Sequence, residues 1–319
     1  MHNELPDDVV AFGDAVRERL NGLGGVRFAL LAEGDDAHRQ QAAVALSEVG
    51  AWDVDPRGGA EDLLAAAQLC RITGAVALPY PTVEQLLAVD GAKLALIDPL
   101  RPWIDHGDLP GEWVGADLDG CTYRVLPGRR IRSRLGPFVT RATVEPSALP
   151  LSPDDVARHL VLGAWRLLGG LETALTLTSS HLVVREQFGK PLANFQAVQF
   201  MVADAAVALA GLEELAKYTA WRLLTAESRA GWVDAVALRL HADDVGREVL
   251  HTCHQLLGAI GFCDEHDLSV LDRHLQPLLR LPASAEVLAD RLVPAVSDGD
   301  LDALFTGAHG TPLPTSAAR

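Results

Sequence analysis

Arg185-Glu186-Gln187-Phe188-Gly189-Lys190-Pro191-Leu192-Ala193-Asn194-Phe195-Gln196 separates two long apolar-striped segments, and its reading decides the C-terminal half of the chain. Its Gly and Pro interrupt any helical period. Upstream, Ser152-Pro153-Asp154-Asp155 offers a capping Ser, a Pro at the first helical position and an acidic first turn. That start predicts a helix running to about Val184. Downstream, Asn194 is expected to cap a second long helix, striped by Phe195, Val198, Met201, Val202, Ala205 and Leu209 and ending near Leu224. A third helix is expected over Val233 to Leu257, a fourth from near Leu268, and a fifth including Ala285 to Leu292. Long helices with short joins imply an antiparallel bundle.

Outward from the bundle the period changes twice. Between Ala92 and Pro150, short apolar runs at Leu94–Ile97, Cys121–Leu126 and Val139–Val144 alternate with Gly, Pro and Asp clusters. They read as a small β module with hairpin turns at Asp119-Gly120 and Pro127-Gly128. The cluster Arg129, Arg130, Arg132 and Arg134 alternates with Ile131 and Leu135, as a solvated edge strand would; a contact to an acidic partner or a ligand phosphate is the other reading. Before Val89 the pattern is helical again. Val9, Phe12, Val16 and Leu20 form one stripe, and Ala42, Val44, Leu46 and Val49 a second. A third helix spans Glu61 to about Val76. Pro79-Tyr80-Pro81 closes it, and Thr82 is placed to cap a short helix through Leu87. The expected fold is mainly α with a small β module. It comprises an N-terminal helical domain (1–91), a reduced β domain (92–150) and a C-terminal antiparallel helix bundle (151–319).

Composition narrows the function. The 319 residues are 49% hydrophobic and 22% charged, enough apolar material for a large core. Lys and Arg total 27 against 43 Asp and Glu, a formal charge of −16. Such a field repels nucleic-acid phosphates and anionic lipid, so neither nucleic acid nor a membrane surface is an expected partner. Cys70, Cys121, Cys253 and Cys263 are scattered rather than framed as disulfides, and Met1-His2-Asn3-Glu4 starts no signal peptide. A cytoplasmic location is the expectation.

The interrupting stretch resembles the R-x-Q-F-G-x-P-(x)-x-F-Q segment of acyl-CoA dehydrogenases. A second match, Gln255-Leu256-Leu257-Gly258-Ala259-Ile260-Gly261-Phe262, resembles that family's Q-x-x-G-G-x-G-[FY], and Asp62–Pro81 resembles its N-terminal helix with a Pro-x-Pro turn. The resemblance implies FAD as cofactor, lying across a subunit interface. It implies that Arg185, Gln187, Phe188 and Gln196, with Gln255, Gly258 and Gly261, reach the adenosine and pyrophosphate half of a neighbouring subunit's flavin. Their chemistry suits that role: Arg185 can fork across two phosphate oxygens. Phe188 can pack against a flat ring or ribose, and Gln196 supplies an amide. Gly258 and Gly261 would let backbone approach a dinucleotide without Cβ interference.

The departures from the family are as informative. Its members remove the α-proton of an acyl-CoA with a Glu that commonly precedes Gly-Thr; here Pro282-Ala283-Ser284 stands in that place. The family's alternative carboxylate position falls on His159, with Arg158 beside it and Leu160 following. The flavin-facing T-E-x-x-x-G-S-D and W-I-T-N stretches have no counterpart between Ala92 and Pro150. The chain thus looks like the shorter subunit of the heteromeric α2β2 acyl-CoA dehydrogenases of actinobacterial steroid side-chain degradation. The resemblance implies a longer homologous partner subunit, an acyl-CoA substrate and an electron-transfer-flavoprotein-type acceptor. No catalytic residue is then expected in this chain. Two rival readings remain: a structural partner that binds no flavin, and a self-sufficient homodimer using His159 or Glu286. His251, Cys253, His254, Cys263 and His266 lack metal-ligand spacing, and no G-x-G-x-x-G or Walker segment is present.

Overall fold

The computed structural model describes residues 6–126, 128–131 and 134–298. Five helices open the chain: α1 (Asp7–Asn21), α2 (Val26–Gly34), α3 (Ala37–Glu48), α4 (Ala60–Ala75) and α5 (Thr82–Leu86). Of these, α2 has no expectation behind it in the sequence pattern, because its apolar residues run together without a polar face. Val44, counted into the apolar stripe of α3, is exposed, while Ala42, Ala45 and Leu46 carry the contact. Thr82 does not cap α5: Pro81 holds the cap position, and no side chain caps the helix there.

The sheet strands are β1 (Lys93–Leu96), β2 (Trp103–Asp105), β3 (Trp113–Ala116), β4 (Thr122–Leu126), β5 (Val139–Arg141) and β6 (Thr143–Pro146). One sheet has the order β1-β3-β4-β6, with β1 and β3 parallel and the other pairs antiparallel; β2 and β5 pair separately. The β3–β4 hairpin turns at Asp117–Gly120, where Gly120 adopts φ 82° and Asp117 Oδ1 accepts from the amides of Asp119 and Cys121. Pro127 of the second expected turn lies outside the described residues, as does Arg132. On the side away from β3, β4 pairs with β6, so of the expected run Val139–Val144 only Thr143 and Val144 reach it, while Val139–Arg141 pairs with β2. Nor do the described arginines of the cluster, Arg129, Arg130 and Arg134, form a solvated edge strand. Arg130 makes a single bridge to Thr140 and turns inward to Asp108 (2.5 Å) and Asp36. Arg39, on α3, grips Asp108 with two bonds of 2.9 and 2.8 Å. Both guanidinium groups stack on Phe138, at 4.8 and 5.3 Å from its ring centre. This buried clip fastens the sheet module to the N-terminal helices.

The second half is the bundle: α6 (Pro153–Val184), a two-residue-stranded hairpin of β7 (Glu186–Gln187) and β8 (Lys190–Pro191), then α7 (Gln196–Thr225), α8 (Ser228–Leu257), α9 (Asp267–Arg280) and α10 (Ala285–Asp298). Ser152 Oγ accepts from the Asp154 amide at 3.3 Å, as its capping sequence requires. Asn194 caps nothing; it lies in a 3-10 turn over Leu192–Asn194, and Phe195 precedes α7 without a side-chain cap. In length and composition α6 could cross a membrane, but 72% of its most apolar window is buried inside the fold. It is the core helix. Two glycines explain how closely it is approached: a Cβ on Gly74 of α4 would stand 1.8 Å from the Arg166 carbonyl oxygen, and one on Gly169 of α6 would stand 1.8 Å from that of Arg71. The two helices therefore meet backbone to backbone. On α8, Asp243 is buried and accepts from Arg247 at 2.7 Å.

Candidate functional site

The hairpin after α6 is short because only two residues join its strands. Phe188 and Gly189 occupy the turn with φ of 54° and 78°, a left-handed pair that suits a tight antiparallel hairpin. Glycine takes that conformation freely; a phenylalanine does so at a cost of about 1–2 kcal/mol. The root is fixed by the Arg185 amide donating to His181 O (2.9 Å) and the Leu192 amide donating to Arg185 O (2.8 Å). Lys190 Nζ sits 4.2 Å from the Phe195 ring centre and donates to Asn194 O. Phe188 meets Phe195 only edge-on at 6.2 Å and is 93% exposed. Arg185, Gln187 and Gln196 are exposed as well, and no ion pair holds Arg185 among the described residues. These four side chains all face outward. In the helices that flank the hairpin, Val183, Val184, Phe200 and Val207 are exposed too. The first turns of α7 are consequently half-covered, so Val198, Met201 and Val202 belong less to this chain's own core than their stripe suggests.

The second segment ends α8. Gly258 terminates the helix with φ 61° and has no atom within 4 Å of where a Cβ would stand, whereas a Cβ on Gly261 would press on Leu257 at 3.0 Å. Gly258 is thus an open helix-terminating position, and Gly261 is a packing glycine, not a point of approach. Gln255 and Phe262 are exposed, with Phe262 stacked on His254 at 4.8 Å. Burial, and then the charges of Arg185 and His266, hold His181 below its ordinary value.

His159 and Pro282 also come together, lining a narrow cavity of about 60 Å³ with Glu84, Asp105, Arg166 and Arg239. His159 Nε2 lies 3.9 Å from Glu84 Oε1, too far for a hydrogen bond. Burial lowers its pKa, against the opposing pull of Glu84. A neutral imidazole follows. Glu286 is exposed on the first turn of α10, and its carboxylate is held low by a hydrogen bond with Ser284. It does not line this cavity.

Sequence reasoning missed the larger groove, of about 940 Å³, between the sheet module and the bundle. Trp103, Leu281 and Pro282 line both spaces, so the narrow cavity lies behind the groove. Arg101, Arg247, Arg280 and Arg291 face it. They are dispersed in the chain, and only folding collects them. Its carboxylates are committed: Asp272 to His254 and Gln276, Asp117 to Tyr123 and two amides, Asp98 to the Leu100 amide. None stands free as a base. Among the described residues, no His, Cys, Asp or Glu group is arranged to hold a metal ion.

Residues 158–280 match the acyl-CoA dehydrogenase C-terminal domain family. Around that domain the whole chain has the acyl-CoA dehydrogenase fold. It superposes on a variant of the steroid ACAD Tcur3481-Tcur3483 with a TM-score of 0.75, at 18% identity, covering 92% of this chain and 99% of that one. The ChsE4-ChsE5 complex from Mycobacterium tuberculosis gives 0.74 at 13% identity, covering 93% and 99%. Among curated proteins, a probable short/branched chain specific acyl-CoA dehydrogenase of Dictyostelium discoideum is 36% identical over 103 residues, 32% of this chain and 24% of that protein. The acyl-CoA dehydrogenase FadE28 of Mycobacterium tuberculosis is 34% identical over 116 residues, 34% of this chain and 33% of the relative. The match thus spans a quarter to a third of these curated relatives' length.

Proposed function

We propose that this chain is the shorter subunit of a cytoplasmic, FAD-dependent acyl-CoA dehydrogenase, paired with a longer homologous subunit that carries the catalytic base. The observation that carries the reading is Phe188: a strained left-handed aromatic, almost wholly in water, at the tip of a rigid hairpin. Strain and exposure together are uphill for the chain alone and become sensible when another surface covers the tip. The residues present fit a flavin held from outside. Arg185, Gln187, Phe188 and Gln196 point away from their own chain, offering a cation, two amides and an aromatic face. They would clamp the adenosine and pyrophosphate half, with Gln255 and the open Gly258 alongside. Gly261, buried, serves only the turn's packing. FAD, when bound, supplies the hydride acceptor. No residue here removes the α-proton: Pro282 cannot, and His159 is secluded and neutral.

The substrate class follows from the family, an acyl-CoA thioester gaining an α,β double bond. A steroid side-chain CoA ester is favoured by likeness to a structure described as a steroid ACAD. Electrons would leave to an electron-transfer flavoprotein. Co-expression with a longer homologue, followed by light scattering and flavin absorbance, tests the assignment. A flavin-loaded hetero-oligomer bleached by acyl-CoA without oxygen is expected. A flavin-loaded homo-oligomer of this chain that turns over acyl-CoA alone would refute it, and so would an assembled complex from which Arg185→Ala removes no flavin.

A further inference from the structure

The narrow cavity behind the groove has a polar inventory that its own walls leave unfinished. Glu84 comes from α5, Asp105 from β2, His159 and Arg166 from α6, and Arg239 from α8. Four atoms facing this space are buried without a hydrogen-bond partner: Glu84 Oε2, Asp105 Oδ1, His159 Nε2 and Arg239 Nη1. Arg239 is only 3% exposed, and its other terminal nitrogen is already used, donating to Leu281 O at 3.3 Å. Arg166 is likewise spent on Leu78 O at 2.8 Å. Buried polar atoms left bare are costly, so the cavity demands an occupant.

The inventory identifies it. Glu84 Oε2 accepts, a guanidinium nitrogen donates, and the imidazole nitrogen and the Asp105 carboxyl can do either. An anion would face the Glu84 carboxylate, and a cation would face Arg166 and Arg239. A hydrocarbon chain would satisfy none of them. The complement is a small neutral molecule that both donates and accepts, and the volume of about 60 Å³ has room for about two to four waters. We propose that this cavity is a water-binding site, a hydrated joint linking α5, β2, α6 and α8, and that it admits neither an acyl chain nor an anion. The inference rests on the cavity's own walls and stands whether or not the chain pairs with a longer subunit.

The lining also supplies the reporters. Leu96, Ile104 and Leu278 place methyl groups on the cavity. In the methyl-labelled full chain, in whatever assembly it purifies, cross-relaxation with long-lived water is expected at these three residues. It should persist when formate or octanoyl-CoA is added, and it should survive Glu84→Gln, whose amide oxygen still accepts. Absence of water contacts in the wild-type chain would mean a dry void and overturn the proposal. Their displacement by formate would make the cavity an anion site, and displacement by octanoyl-CoA an acyl site; either result overturns it.

Discussion

Arg185 is the residue on which the flavin assignment is most exposed to test. Its guanidinium would form a charge-assisted bond to the pyrophosphate, worth about 1.5–3 kcal/mol. Arg185→Ala in the assembled complex should therefore release FAD at least about tenfold more readily, and Arg185→Lys should restore only part, since an ammonium cannot fork across two oxygens. Equilibrium dialysis of the flavin reads both. His159 makes the opposite case. Loss of a general base costs about 10²–10⁴ in rate. His159→Ala in the complex should lower kcat by less than about tenfold, and a thousandfold loss with intact flavin would make this chain catalytic. Asp105 adds a pH signature. Burial, only partly offset by the Arg166 charge, pushes its pKa up to about 7 from the ordinary 3.8. The folded chain then holds a proton that the unfolded chain releases. Stability from that proton is full below the ordinary value and is lost as pH rises through 7. Asp105→Asn, which cannot ionise, should gain melting temperature relative to wild type between about pH 5 and pH 8. A constant difference across that range would show that Asp105 ionises normally.

At the scale of elements, the hairpin between α6 and α7 shows what sequence can and cannot deliver. Its residues were legible as the break between two helices, because Gly189 and Pro191 interrupt the apolar period. The long helices were legible too, for Ser152 and Pro153 announce α6 unambiguously. The φ of Phe188 was not legible, since nothing in Phe-Gly tells which residue of a turn takes the left-handed strain. Asn194 misled for a related reason: a good capping residue loses its role when a 3-10 turn moves the helix start past it. Phe188→Asn separates the tip's two roles, because Asn tolerates the left-handed region and exposes no ring. In the isolated chain the variant should melt about 2 °C higher. In the complex it should lose flavin by at least about tenfold, equivalent to about 1.4 kcal/mol. An unchanged flavin content would confine Phe188 to shaping the turn.

Across the whole molecule, the order helices, small sheet, bundle was readable from the two changes of period, whereas the spaces between these parts were not. The groove draws Trp103, Arg247, Arg280 and Arg291 from segments far apart in sequence, and the polar cavity takes one side chain from each of three elements and two from α6. No local pattern marks such residues, since each alone looks like a surface charge or a core aromatic. The Arg39–Asp108–Arg130 clip around Phe138 was hidden for the same reason. Arg130 was noticed for its neighbours in the chain, yet its partners sit on a distant helix and loop.

The crossing of α4 and α6 at Gly74 and Gly169 sets the timetable of synthesis. When α4 leaves the ribosome, the backbone it must lie against is still about 95 residues from being made. At roughly 5–20 residues per second that is a wait on the order of 5–20 s, during which α4 can rest on α1, where Ile72 meets Gly13, but lacks the helix that covers its other face. The N-terminal helices and the sheet are thus not a self-sufficient early product. They are a half-built core until α6 is made. A fragment ending at residue 150 should show no cooperative melting by calorimetry, and a sharp two-state transition in that fragment would mean that α4 buries its apolar face without α6. For a cell making this protein, the vulnerable interval comes before α6 emerges, well ahead of any encounter between finished chains.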